Sequence, residues 1–385
     1  MVFFSPSFYY IRLSVLRHML QSAFGQSNWK LWLLSILFIF LYSIHLLLSL
    51  FFRLLDEIFH RGYKTTPINQ PVFIIANPRS GTTYLHRLLA LDDERFVYTK
   101  NAHTFFMSSS FVQFYQVIRW TDRHLMFNAL RKLMKKLDEM FWGGWDDIHP
   151  MGFNKAEEDE LVFAQTFNSP GMFIPFPIFH ENNHNRFLDD EPEKIRHNVI
   201  QFYASSIKRF VFRAGKNKTY LAKNVMSTGR YKTLLQAFPD AKIIYIARHP
   251  YDAVPSMASM FTVMYQFHSP NVSKRDISRK VWANYGIEFF QYAKTMHQSL
   301  PKEQFASVKY DDLLREPHET IKGIYRHFGW PMSEQFLTKL HQEKVRQQNY
   351  QSKHEYSLEE FGLSAQEVYN ELSDVMDEFG FEKEF

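Results

Sequence analysis

Two short segments far apart in the chain limit its fold more than anything else in it: Ala76-Asn-Pro-Arg-Ser-Gly-Thr-Thr83 and Ile243-Ile-Tyr-Ile-Ala-Arg-His-Pro250. The first follows the apolar run Val72-Phe-Ile-Ile75 and keeps the frame of a phosphate-binding loop. In a Walker A loop, G-x-x-x-x-G-K-[ST], backbone N–H groups and a helix N-terminus hold phosphate oxygens while a lysine neutralises their charge. Here Ala76 stands for the first glycine, Gly81 is kept, Thr82 sits where the lysine belongs, and Arg79 is the candidate replacement cation. The second segment is an apolar strand running into Arg248, at the place where a magnesium-dependent ATPase carries an aspartate. Arginines, threonines and a serine without a carboxylate at the metal position suit a phosphate-bearing ligand whose charge side chains balance. Both segments belong to a larger pattern: short apolar runs at Val72–Ala76, Thr219–Ala222, Lys242–Ala247 and Phe305–Val308 read as strands of a parallel sheet buried on both faces. Helices are expected between them, at Thr82–Leu91, Tyr231–Phe238, Lys280–Ser299 and Pro317–Phe328.

These segments resemble the sulfotransferases that use 3′-phosphoadenylyl sulfate, and the resemblance covers roughly residues 71 to 385. Pro78-Arg-Ser-Gly-Thr-Thr-Tyr84 is similar to the family's loop around the 5′-phosphosulfate, which implies donor-binding roles for Arg79, Ser80, Gly81, Thr82 and Thr83 and places Tyr84 near the adenine. Arg248 and Ser256 keep the eight-position separation of the family's pair on the 3′-phosphate. Tyr220-Leu-Ala-Lys-Asn224 resembles the strand with the second active-site lysine, so Lys223 is expected beside the bridging oxygen. Phe305-Ala-Ser-Val-Lys-Tyr310 matches the late strand whose tyrosine flanks the adenine, a role that falls to Tyr310. The implied fold is a three-layer, P-loop-like α/β architecture with a central parallel sheet, a helical insert and an N-terminal hydrophobic helix. The implied co-substrate is 3′-phosphoadenylyl sulfate (PAPS), with no metal.

Two departures stand out. The family's cytosolic branch places a catalytic histidine two residues after the strand lysine, and this chain has Val225 there. It also lacks that branch's Arg-Lys-Gly loop, for which Lys353 and His354 are the candidate substitutes. The base must therefore come from elsewhere. The stretch Asp146 to Leu161 contains His149 and the acids Glu157, Glu158, Asp159 and Glu160. On a helix, Glu158, Leu161 and Gln165 share one side while Asp159 points away. Glu158, with His149 as partner, is the expected base; Glu157 and His103 are held in reserve. The competing reading makes the four acids a solvated first helical turn favoured by the macrodipole.

The 385 residues suffice for one large α/β domain and an appendage, and they contain no cysteine, which excludes disulfides and cysteine chemistry. No Cys/His or His/carboxylate spacing points to a metal. The net charge of +5 suits an anionic donor and an anionic membrane and does not require nucleic acid. From Trp32 to Phe52 the chain is apolar but for a few polar residues, long enough to cross a bilayer. Ser35, Tyr42 and Ser49 repeat at seven-residue intervals on one helix face, so the segment spans, lies in the interface, or caps a groove on the catalytic domain. The expected organisation is a membrane-associated segment at 1–66 and a catalytic domain at 67–385, on the cytoplasmic side. A helical insert at 103–190, rich in aromatic and basic residues, would choose a lipid, glycolipid or carbohydrate acceptor. A P-loop kinase or NTPase, or a catalytically inactive membrane-attached nucleotide-binding protein, are the competing functions.

Overall fold

The structure is a computed structural model that describes residues 5–142, 156–173, 187–266, 275, 282–347 and 357–383. Its centre is a five-stranded parallel sheet in the order β2-β3-β1-β4-β5. The strands are β1 (Val72–Ala76), β2 (Phe96–Tyr98), β3 (Thr219–Lys223), β4 (Lys242–Ala247) and β5 (Phe305–Lys309). All of β1 and nearly all of β3 and β4 are buried, because helices cover both faces of the middle of the sheet. In β5, at one edge, Ser307 and Lys309 reach solvent while Val308 is buried between them. The other edge strand, β2, has three residues and no apolar run of the length that identifies a strand in a sequence. The fold is thus α/β with a central parallel sheet, and the expected strands lie within a residue of where they were read.

Helices needed below are α1 (Leu13–Gly25), α2 (Trp29–Phe59), α3 (Thr82–Leu89), α4 (Asn101–Phe105), α5 (Ser109–His124), α6 (Ala129–Trp142), α7 (Glu160–Ala164), α8 (Glu193–Ala214), α9 (Tyr231–Ala237) and α10 (Pro250–Gln266). Parallel neighbours need long crossovers, and the register sets which strand ends meet: Ile74 pairs with Lys223 and Ala76 with Ile246. The loop after β1 is therefore flanked by the last residue of β3 on one side and the residue after β4 on the other. This is the edge where ligands sit in open parallel sheets.

The apolar run forms α2, begun by Asn28, whose side chain accepts from the N–H groups of Lys30 and Leu31 at 3.2 and 3.3 Å. Its heptad-spaced face packs on the protein. Ser35 and Ser49 are buried, and the Tyr42 hydroxyl donates to the Gln165 carbonyl at 2.8 Å. The helix runs past Phe52 because the next charges have buried partners. Asp56 accepts from the backbone N–H groups of Ser109 and Ser110 at 3.2 and 2.7 Å, at the N-terminus of α5. It also pairs with Arg209 of α8 at 3.0 Å, both side chains being fully buried. Arg53 donates to Ser206 of α8 at 3.0 Å and its guanidinium lies 4.5 Å from the Phe202 ring centre. At the other end of the N-terminal region, Arg12 pairs with Glu191 through two 2.8 Å bonds.

Arg209 also meets Glu57 at 2.6 Å, so loss of Asp56 leaves it one carboxylate, while the buried N–H groups of Ser109 and Ser110 lose their acceptor at a cost of about 1–3 kcal/mol each. Asp56→Ala should therefore lower stability by that order in equilibrium denaturation, while Ser43→Ala, on the exposed side of α2, should change it by less than about 0.5 kcal/mol. Equal effects of the two would show that Asp56 does not hold α2 in place.

Candidate active site

The loop between β1 and α3 turns twice through left-handed backbone, at Arg79 (φ 68°) and Gly81 (φ 77°). Gly81 is needed for space as well as for φ: a Cβ there would stand 3.0 and 3.1 Å from ring carbons of Tyr310. Alternation of right- and left-handed residues turns successive N–H groups towards one concavity, and α3 adds its own N-terminal N–H groups. The loop is tied down at its start, where Asn77 donates to the Gly286 carbonyl at 3.1 Å and Thr228 to that of Ala76 at 3.3 Å.

Arg248 follows β4 and donates to the Arg79 carbonyl at 2.6 Å, with its guanidinium 4.8 Å from the Tyr310 ring centre. Tyr310, the first residue after β5, thus bridges the loop and Arg248. Ser256 lies in α10, begun at Pro250 where a missing N–H costs nothing. Among the described residues, Ser80 Oγ, Arg248 Nε and Ser256 Oγ are buried donors on these elements without a hydrogen-bond partner, as is the Tyr251 hydroxyl, and Asn77 Oδ1 is an acceptor without one. A buried donor left unsatisfied costs about 1–3 kcal/mol, so the donors of Ser80, Arg248 and Ser256 along one sheet edge suit an anionic ligand with several acceptor oxygens. Thr82 is buried, while Thr83 and Tyr84 are half-buried on the first turn of α3, where burial, reinforced by Glu343, raises the Tyr84 phenol pKa.

The second centre of charge is the end of β3. Successive strand residues point to opposite faces. Tyr220 and Asn224 share one face and Lys223 takes the other. Lys223 is fully buried, and its Nζ lies 3.0 Å from Thr83 Oγ1, 2.9 Å from Glu158 Oε1 and 4.0 Å from Glu157 Oε2. Asp159 takes the opposite side, accepting from Asn224 Nδ2 at 2.9 Å, from the Tyr220 hydroxyl at 3.0 Å and from the Tyr203 hydroxyl. Burial raises its carboxyl pKa against the lowering effect of those bonds. Glu160 grips Arg230 through two bonds of 2.8 and 2.9 Å.

This arrangement corrects the reading of the four acids as a solvated helical turn. Glu157 and Asp159 are buried, each of the four acids has a cationic or hydroxyl partner, and the helix begins only at Glu160. Glu158 therefore does not share a helix face with Leu161; it precedes the helix. It still meets Lys223, and with 27% of its side chain exposed it is the most accessible of the run. Of the reserve candidates, Glu157 lies against Arg87 (3.8 Å) as well as Lys223. His103 sits between the rings of Tyr115 and Phe210 with its pKa lowered to about 4, chiefly by burial. His149, Lys353 and His354 lie outside the described residues.

Sequence reasoning missed Thr83 as the hydroxyl beside Lys223, and Asn224 with Tyr220 and Tyr203 as the mount of Asp159. The alternation of β3 carries a signal for Asn224, but Tyr203 comes from α8, which no local pattern connects to this point. His86, on α3, was also passed over. It is fully buried, and burial first and the Lys223 charge second push its pKa down to about 3.

The description of the matching family model is "Sulfotransferase family", over residues 71–334. The chain is 25% identical over 364 residues to the omega-hydroxy-beta-dihydromenaquinone-9 sulfotransferase Stf3 of Mycobacterium tuberculosis (strain CDC 1551 / Oshkosh), covering 91% of this chain and 85% of that protein. Sulfotransferase STF9 from Mycobacterium avium superposes with a TM-score of 0.68 at 17% identity, over 86% of this chain and 82% of that one. Sulfotransferase STF1 from M. tuberculosis H37Rv gives 0.65 at 18%, over 96% and 93%. At these identities the two structures establish a common fold.

A histidine neutral in the fold and ordinary when unfolded contributes stability that is whole above about pH 6.5 and lost as pH falls towards its folded value, here about 3. His86→Leu should flatten the acid side of the Tm–pH curve below pH 6.5 and leave Tm near pH 7.5 almost unchanged. Parallel curves for variant and parent would show that His86 carries none of the acid sensitivity.

Proposed function

The chain belongs to the sulfotransferase family, and from that premise we propose that it transfers a sulfuryl group from PAPS to a hydroxyl on an apolar, membrane-resident acceptor. The observation that carries the reading is the Lys223–Glu158 pair beside Thr83, at the end of a loop and arginine set with unsatisfied buried donors. The residues present fit the donor. Arg79, Ser80, Gly81, Thr82, Thr83 and Lys223 would hold its 5′-phosphosulfate, Arg248 and Ser256 its 3′-phosphate, and Tyr84 and Tyr310 would flank its adenine. The bound donor supplies an electrophilic sulfur and a phosphate leaving group.

The chemistry assigned to the chain is positioning and charge stabilisation, with one proton moved. As the acceptor oxygen bonds to sulfur, the bond from sulfur to the bridging oxygen breaks and negative charge grows on the departing phosphate. Lys223, Arg79 and the loop N–H groups meet that charge, each such donor contributing on the order of 3 kcal/mol. Glu158 takes the acceptor's proton, with His149 as its proposed partner. Because Lys223 touches Glu158, one residue faces the leaving group and its neighbour faces the nucleophile. Charge neutralisation by side chains, without magnesium, separates this reading from a kinase or NTPase.

The acceptor class rests on two supports. The name of the mycobacterial relative assigns it a hydroxylated dihydromenaquinone. In this chain, Phe106, Phe111 and Phe114, between β2 and α8, lie against Phe52 of the apolar α2. Residues 1–66 are taken as the membrane-associated segment and 67–385 as the catalytic domain, on the cytoplasmic side.

Arg248→Ala should weaken binding of 3′,5′-adenosine diphosphate at least about tenfold by calorimetry, one charged hydrogen bond being worth about 1.5–3 kcal/mol. Glu158→Gln should keep that affinity and cut turnover of a labelled donor by about 10²–10⁴. Comparable affinity losses in both variants, or tighter binding of ATP–Mg²⁺ than of the adenosine bisphosphate, would end the proposal.

A further inference from the structure

The exposed side of α2 has no counterpart on the described protein. Leu33, Ile36, Phe40, Ile44, Leu47 and Phe51 form a stripe along it, with Phe40 62% and Leu47 68% exposed. It lies opposite the docked stripe of Leu31, Ser35, Tyr42, Ser49, Arg53 and Asp56. The exposed apolar surface continues onto α5, since Phe52 meets the rings of both Phe111 (5.3 Å) and Phe114 (6.0 Å) and Phe114 is half exposed. It goes on through Val117 and Trp120 to the turn between α5 and α6, where Leu125, Met126 and Phe127 are exposed, Phe127 to 84%. An apolar surface of this extent is a contact site for something.

Charge names the partner. Around the turn, Arg119, Arg123, Arg131, Lys132 and Lys136 are exposed, and Lys135 pairs with Glu139 at 3.6 Å. Apolar side chains rimmed by cations match a bilayer carrying anionic headgroups, where each basic residue near the surface adds attraction.

The docking of α2 decides its orientation. At 1.5 Å per residue its 31 residues measure about 46 Å, ample for a crossing. Yet Tyr42, near its middle, is bonded to the carbonyl of Gln165, the residue after α7, and Asp56 is sealed against Arg209 at its end. A helix crossing the bilayer with those bonds intact would draw α7, and with it the ionised Glu158–Lys223 pair, into hydrocarbon, where charges are costly. We propose that α2 and the α5–α6 turn form one docking face that lies flat in an anionic bilayer surface, with α2 held to the catalytic body instead of spanning. The inference deepens the lipid-acceptor reading and rests on it only for its purpose: the face brings the site to the surface in which such an acceptor resides.

The chain has no cysteine, so single cysteines can be placed at Leu33, Phe40, Leu47, Ile58 and Phe127 of the full chain and labelled with an environment-sensitive fluorophore. With vesicles of phosphatidylcholine and phosphatidylglycerol, all five labels should shift to the blue, and spin-labelled lipids should report similar shallow depths along α2. A depth profile passing from one surface through the bilayer centre to the other would overturn the proposal in favour of spanning. No shift with vesicles, or one reproduced by raising protein concentration alone, would overturn it in favour of a free or self-associated face. Lys132→Glu with Lys136→Glu should weaken vesicle binding about tenfold or more, and an unchanged partition would remove the anionic bilayer as partner. An unchanged far-ultraviolet circular dichroism spectrum and melting temperature verify that each variant is folded. Absent vesicle binding with sulfuryl transfer intact sinks the docking face alone; flat docking of a chain that binds no adenosine bisphosphate supports the face and sinks the donor reading.

Discussion

Strand alternation at the end of β3 divides the candidate site. Lys223 and Asn224 are consecutive, so their side chains leave opposite faces of the sheet, and each takes hold of one of two consecutive acids. Asn224, Tyr220 and Tyr203 bind Asp159 in the interior, which fixes the chain where it passes the strand end. Glu158, one residue earlier, is thereby delivered to Lys223 and to the mouth of the phosphate-type loop. Glu160, one residue later, is held by Arg230, whose guanidinium is stacked 3.9 Å from the Phe163 ring centre. A run of four like charges, which would repel itself on a solvated helix, is tolerated here because its members are sent to different partners.

The loop, Arg248 and Tyr310 are placed by the same sheet through its parallel register. With β1 between β3 and β4, and β5 beyond β4, the segments leaving all four strands emerge along one edge. Contacts between those segments then set their positions: the Arg248 bond to the Arg79 carbonyl and the Tyr310 ring over Gly81 join three of them directly. The α2 helix is joined to this body by another logic. Its charges are buried and paired at one end and its hydroxyl-bearing face is bonded at the middle, so an apolar helix that looks independent in the sequence is part of the folded domain's surface.

Much of the fold was legible from local pattern. Buried parallel strands announce themselves as short apolar runs, and four of the five were found that way. The three-residue β2 was not, because its pairing with β3 alone makes it a strand. The loop was legible because its left-handed positions and its lack of space at Gly81 restrict which residues can occupy it. Lys223, Arg248 and Ser256 were singled out by resemblance to the family's motifs, and the structure sets Lys223 at the end of β3, Arg248 just after β4 and Ser256 in α10. The surroundings of the acids were misread, since a helix rule was applied to residues that lie before the helix starts, and their partners come from α3, α8, β3 and the segment between β3 and α9, far away in the chain.

The amino-acid order by itself determined the four longer strands, where the phosphate-type loop turns, and that one N-terminal helix is apolar enough to seek a non-aqueous partner. These depend on interactions among residues within a few positions of each other. Only the tertiary structure decided that Glu158 stands 2.9 Å from Lys223, that Asp159 is a buried mount, and that α2 is bound along its length to the catalytic body. The reason is that an ion pair or a buried carboxylate is defined by its distance to a partner across the fold, and sequence separation carries no information about that distance.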